Sequence, residues 1–247
     1  MNIGIVSYGL YTPETFETAA DLAARTGLTL EEVRELGIER KCRPSREDQP
    51  VTMAVKAANQ ALERAGDLSP EDVDLVIWTG EEYKDYIAQT ASIRLQEETG
   101  CKNAWAFDLV GQNVTSIQGL KVARDFILGD ETIHTVLLAG GTRNVDLVDP
   151  ANPDTRFLLA SSASGGAMIL RRNHSQNRLI QTAFTIDYDM ADEVFVPGGG
   201  TETPFAPDNL DSKIMFYQTP RPLVVKDYLA GRWAQALAET ARKVLKG

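Results

Sequence analysis

Ala106-Phe107-Asp108-Leu109-Val110-Gly111-Gln112-Asn113-Val114-Thr115-Ser116-Ile117-Gln118-Gly119-Leu120 is the stretch that decides the fold. The run Ala104 to Leu109 reads as a strand, Gly111 opens a turn, and Ser116 to Leu128 reads as a helix that Gly129 stops. A side chain held in such a turn stands at the tip of a strand and at the positive end of a helix dipole, which gives it exposure and favours an anionic form. That geometry suits a nucleophile that forms an acyl thioester. Here the turn offers Gln112 and Asn113 instead.

The same grammar extends in both directions. Asn2 to Tyr8 begins as a strand that breaks at Gly9, and Thr29 to Leu36 is a short helix opened by a capping box, Thr29 with Glu32, and stopped at Gly37. Thr52 to Ala65 places Val55, Ala58, Leu62 and Ala65 at helical spacing, with Gly66 as the stop. Ser69-Pro70-Glu71-Asp72 is a turn leading into the apolar strand Leu75 to Trp78, and Thr90 to Thr99 is a helix ended by Gly100. Further strands are expected at Thr135 to Ala139 and Gly165 to Leu170, with Arg171 to Asn177 as a polar connector. Beyond it, Leu179 to Tyr188 restarts a strand. A last helix runs from Lys226-Asp227 to Lys246 with Leu229, Trp233, Leu237 and Val244 on its apolar face. Strands alternating with helices predict an α/β architecture.

Composition narrows the partners. A net charge of −10 repels nucleic acid, whose binding depends on Lys and Arg neutralising phosphates. No apolar run approaches the length needed to cross a membrane, and the N-terminus enters a strand without a basic, apolar leader, so a cytoplasmic location is the expectation. Arg40, Lys41, Arg43 and Arg46 leave two readings open, a local anion site and a solvated loop, the second favoured. Cys42 and Cys101 match no metal spacing and are expected as free thiols; no metal and no cofactor are expected. His134 and His174 read as structural or surface imidazoles, Glu81, Glu82 and Asp85 as a solvated loop, and Gly198-Gly199-Gly200 as a turn, because no Lys-Ser or Lys-Thr follows as a phosphate loop requires.

Ala106-Phe107-Asp108, followed by an elbow and a helix, resembles the β-ketoacyl synthase III family, in which a cysteine stands five residues after the Asp. That count lands on Asn113. Ile3 to Gly9, Gly37-Ile38-Glu39-Arg40, Met53 to Ala58, Leu68 to Thr79 and Gly165 to Leu170 resemble family segments in the family's order over about the first 170 residues. Ile3 to Tyr11 is also similar to hydroxymethylglutaryl-CoA synthase. The resemblance implies an α/β thiolase-like fold, with a complete N-terminal half at 1–172 and an incomplete C-terminal half at 178–247. It also implies a homodimer or a heterodimer with a thiolase-fold homologue, formed through the first half, and acyl carrier protein or acyl-CoA as partners.

Such enzymes use the cysteine to take an acyl group and a His with an Asn or second His to support the new carbanion. A carboxamide cannot form the thioester. Glu31 and Glu35 stand where the family's Trp and Arg hold CoA, Ser162-Ala163-Ser164-Gly165-Gly166 replaces Gly-Asp-Gly-Ala-Gly, and the region of the family's His and Asn is not expected within this chain. The resemblance therefore implies a protein of acyl-thioester metabolism, of fatty acid or polyketide type, acting as a non-catalytic partner subunit. An active decarboxylase, a condensing enzyme completed by another chain and a pseudoenzyme that binds an acyl carrier are the alternatives. For the elbow pair two roles are open. The amides could donate a hydrogen bond to a thioester oxygen, or Asn113 could only satisfy buried backbone groups.

Overall fold

A computed structural model describes residues 1–210 and 213–246. Gly247, the last residue of the expected second half, lies outside them. In chain order the regular elements are β1 (Ile3–Tyr11), β2 (Phe16–Thr18), α1 (Ala19–Thr26), α2 (Leu30–Glu35), β3 (Arg40–Cys42), α3 (Pro50–Arg64), β4 (Leu75–Trp78), α4 (Ala91–Thr99), β5 (Trp105–Asp108), α5 (Thr115–Gly129), β6 (Thr135–Thr142), β7 (Ser164–Arg172), α6 (Pro222–Asp227) and α7 (Trp233–Lys246). Short 3-10 turns fill several connections. The elements belong to two compact units.

The first unit comprises Met1–Phe16, Cys42–Arg143 and Ser162–Ile180. Its centre is a five-stranded mixed sheet in the order β1-β7-β6-β4-β5, in which β4 runs parallel to β5 and β6 while β7 is antiparallel to β1 and β6. Alternation along the central strands serves two cores. Val76, Trp78, Leu137 and Ala139 pack with α3 and α4, while Leu75, Ile77, Val136 and Leu138 pack with Leu120, Ala123 and Ile127 of α5. Because both faces are covered, β4 and β6 read as continuous apolar runs in the sequence.

β1 does not break at Gly9. It continues to Tyr11, paired with β7 as far as Gly165. Gly9 is there because α3 lies against the strand so closely that a Cβ would overlap the Ala57 carbonyl oxygen. Gly165 meets the Met53 carbonyl oxygen in the same way, and Ala54, Ala57, Ala58 and Ala61 complete the close approach from the helix side. β7 likewise runs two residues past Leu170, since Arg171 and Arg172 pair with Gly4 and Ile3. Gly129 is the last residue of α5, not its stop, and the chain leaves the helix at Asp130.

The second unit comprises Glu17–Lys41, Asn144–Ser161 and the chain from Gln181 onward. Its core joins Ala19, Leu22, Val33 and Ile38 to Val148 and Leu159. The capping box on α2 forms as expected, Thr29 accepting from the Glu32 backbone and Glu32 from the Thr29 backbone, and Gly37 takes a φ of +79° after it. Leu179 to Tyr188 does not form the expected strand. Asn177 to Leu179 pair beside β1, and among the described residues no strand accompanies the chain from there to Tyr188, so its backbone has no ladder to join. The last helix begins at Pro222, earlier than expected, with Pro at its first turn; a π turn at Tyr228–Arg232 joins α6 to α7. Leu229, Trp233 and Leu237 of its apolar face are exposed. Among the described residues no helix is long and apolar enough to cross a membrane.

Candidate functional site

A cavity of about 420 Å³ opens in the first unit at the carboxyl ends of β1, β4, β5 and β6, the end of an α/β sheet where ligands bind. Thr79, Gly80 and Glu81 line it from the end of β4, Gln112, Asn113 and Ser116 from the elbow and α5, and Gly140 to Thr142 from β6. Tyr8, Leu10 and Met168 form an apolar rim. Gly140 and Gly80 bring two strand ends into backbone contact there, since a Cβ at Gly140 would overlap the Gly80 amide nitrogen. The lining contains no Cys, His, Lys or Arg.

The elbow follows β5 as the sequence predicts. A single 3-10 turn at Gln112–Val114 leads directly into α5, whose positive end therefore faces the cavity. Gln112 and Asn113 are both exposed, and neither carboxamide makes a hydrogen bond within the described residues. Asn113 thus satisfies no buried backbone group, and that role is set aside. The amides are free to donate to, or accept from, a ligand.

Asp108 holds the strand end in place. It accepts from the Ala91 and Ser92 amides at 3.0 and 2.8 Å, capping α4, and from Lys84 Nζ at 2.8 Å. Burial pushes the Asp108 carboxyl up, but these hydrogen bonds outweigh it and hold the group below the usual carboxylate range. Asp85 does the same for α3, accepting from the Val51 amide at 3.2 Å while paired with Arg94. The expected solvated acidic loop thus divides. Glu81 lines the cavity, Glu82 is exposed, and Asp85 is a buried anchor.

The other sequence candidates do not line this cavity. Lys41 turns into the protein and donates to the Leu159 and Ser161 carbonyls at 2.7 and 3.3 Å, which takes it out of any anion site. The Gly198 and Gly199 amides donate to the Ile214 and Thr203 carbonyls. Cys42 and Cys101 are free thiols. His134 is exposed at the start of β6, and among the described residues no group of acids, Cys and His is placed to hold a metal. Sequence reading missed Thr115, whose buried hydroxyl accepts from the Gly111 amide at 2.8 Å and donates to the Gln112 carbonyl at 2.6 Å.

Residues 107–187 match the family model of 3-oxoacyl-[acyl-carrier-protein (ACP)] synthase III, starting inside β5 and running through the elbow. A β-ketoacyl-[acyl-carrier-protein] synthase III of Clostridium perfringens is 33% identical over 142 residues, which are 57% of this chain and 43% of the relative. A hydroxymethylglutaryl-CoA synthase of Archaeoglobus fulgidus is 27% identical over 75% of this chain and 52% of its own length. A crystal structure of 3-oxoacyl-(acyl-carrier-protein) synthase III superposes with a TM-score of 0.82 at 20% identity, covering all of this chain and 74% of that one. That of Aquifex aeolicus gives a TM-score of 0.79 at 22% identity, over 99% of this chain and 71% of that one. Over these parts of its length the chain is similar to the β-ketoacyl synthase III family. Its fold is that of the family's thiolase-like proteins, although it spans only 43% of the first curated relatives it matches. Of the residues that the sequence resemblance singles out, Asn113 is exposed in the elbow, Glu31 and Glu35 are exposed on α2, and Ala163 is buried.

Proposed function

We propose that this chain is a cytoplasmic, non-catalytic partner subunit of a condensing enzyme of acyl-thioester metabolism, of the fatty acid or polyketide type. The observation that carries this reading is the cavity itself. At the end of β5, where the family forms its acyl-enzyme, two unbonded carboxamides face a pocket without a thiol, imidazole or amine. A carboxamide binds a thioester carbonyl but does not attack it.

The open edge of the sheet supports a partner. β5 is the outer strand; Trp105 and Leu109 donate to the Asp74 and Trp78 carbonyls on the β4 side, so by alternation the backbone groups of Ala106 and Asp108 face outward. Beside this edge Trp105, Phe107 and Phe126 form an aromatic cluster with ring centroids 5.4 to 5.9 Å apart. β-Strand pairing through that edge would join this chain to a second copy or to a cysteine-bearing homologue.

The test is to incubate the purified chain with acetyl- and malonyl-thioesters, alone and with a cysteine-bearing homologue, following CO2, CoA release and intact mass. No adduct on this chain and turnover only in the mixed complex are expected. An acyl adduct on this chain overturns the reading. CO2 release by the chain alone would favour a second reading that the unbonded amides also support, a decarboxylase that polarises the thioester carbonyl through Gln112.

A further inference from the structure

We infer that the elbow is built to present Gln112, not Asn113, and that the Gln112 carboxamide is the group that meets the carbonyl of a bound acyl thioester. The inference rests on the reading of the cavity as an acyl-thioester site. Counting from Asp108 singles out Asn113; the backbone singles out its neighbour. Gln112 takes a φ of +56°, the left-handed region that a residue with a Cβ enters at a cost, and Asn113 does not share it. Strain of this kind persists only where the surroundings impose it.

The imposing group is Thr115. Its hydroxyl accepts from the Gly111 N–H and donates to the Gln112 C=O, so a single buried oxygen ties the Val110–Gly111 peptide unit to the Gln112–Asn113 unit and spans Gly111 and Gln112. The Thr115 backbone N–H donates to the same Gln112 carbonyl. Asn113 lies in the same turn, but without a left-handed backbone and with no side-chain hydroxyl on its own carbonyl. Gln112 and Asn113 both line the cavity with unbonded side chains, and it is the strained backbone at Gln112, together with the clamp on its carbonyl, that identifies the displayed position. Thr115 is its positioning residue.

Cysteine placement tests this. In a Cys42→Ala background, which leaves only the buried Cys101, Gln112→Cys and Asn113→Cys are compared for alkylation by iodoacetamide and for acylation by a hexanoyl thioester, read by intact mass. Gln112→Cys should react at least about tenfold faster in both; adding Thr115→Val should cut that lead below about threefold, and Thr115→Ser should keep it. Equal or faster reaction at 113, or a lead indifferent to Thr115→Val, overturns the assignment. If alkylation separates the two positions but neither is acylated, the acyl-thioester reading falls while the elbow assignment stands. Should the cysteine variants fold poorly, glycine scanning gives an independent readout. Gln112→Gly should hold or raise the thermal midpoint, whereas Asn113→Gly should lower it by roughly 2 to 4 °C. Equal losses at both positions count against the inference.

Discussion

A glycine in this chain is either indispensable or replaceable, depending on what its missing Cβ would meet. At Gly9 the Cβ would overlap the backbone of α3 at Ala57, and backbone cannot rotate away as a side chain can. Gly9→Ala should therefore force α3 off β1 and β7 and cost about 3 kcal/mol or more. At Gly129 nothing lies within 4 Å, and φ is not in the left-handed region. There Gly129→Ala should stabilise by about 0.5 to 1 kcal/mol, by restoring helix propensity at the end of α5. Urea melts of the two variants check both signs. An unchanged Gly9→Ala variant would mean that helix and strand are not in this close contact. From sequence the two residues look alike, each a glycine near the end of an apolar run, because the partner that separates them lies about 50 residues away in the chain.

At the scale of elements, helix ends are what the sequence displays best. The Thr29–Glu32 box and the stops at Gly37, Gly66 and Gly100 were all legible, since each is a local agreement among residues within one turn. Long-range caps were not. Gln49 gives α3 no side-chain cap and Thr90 gives α4 none; Asp85 and Asp108 supply them from other segments. Asp108 is the more informative to remove, because it joins β5, α4 and Lys84. Asp108→Asn would leave the Lys84 ammonium, only 9% exposed, without its counter-charge, at a cost of about 2 to 3 kcal/mol at neutral pH. The sign with pH follows from its lowered folded value. Stability from Asp108 is present above the unfolded carboxylate range near pH ~4 and is lost as pH falls through the lower folded value. The wild type should therefore lose stability on that acid limb, and Asp108→Asn should flatten it. Parallel acid limbs in the two proteins, followed by chemical denaturation, would remove Asp108 from this role.

At the scale of the whole molecule, the order of strands and helices in the first unit could be read from alternating apolar periods, while the membership of the second unit could not. That unit gathers two inserted segments with the chain from Gln181 onward, and only tertiary packing of Leu22, Val33 and Leu159 reveals the grouping. The site divides in the same manner. The strand, elbow and helix of Ala106 to Leu120 announced its place, but Tyr8 and Met168 reach the cavity from separate strands and Glu81 from the loop after β4, and they carried no local signal. Association is the property that belongs to this scale. The two edges of the sheet are unequal, for residues 177–179 run beside β1, whereas no described segment pairs with the outer side of β5. An open edge flanked by a 48% exposed tryptophan is a surface that natural sheets normally guard with lysine or proline. Trp105→Lys supplies that guard while leaving the β4–β5 ladder untouched. Sedimentation should show the parent chain as a dimer, or as a heterodimer with its homologue, and the variant as a monomer with a nearly unchanged thermal midpoint. A variant that still associates would move the interface away from β5, and a parent chain that stays monomeric with and without the homologue would count against the partner-subunit reading.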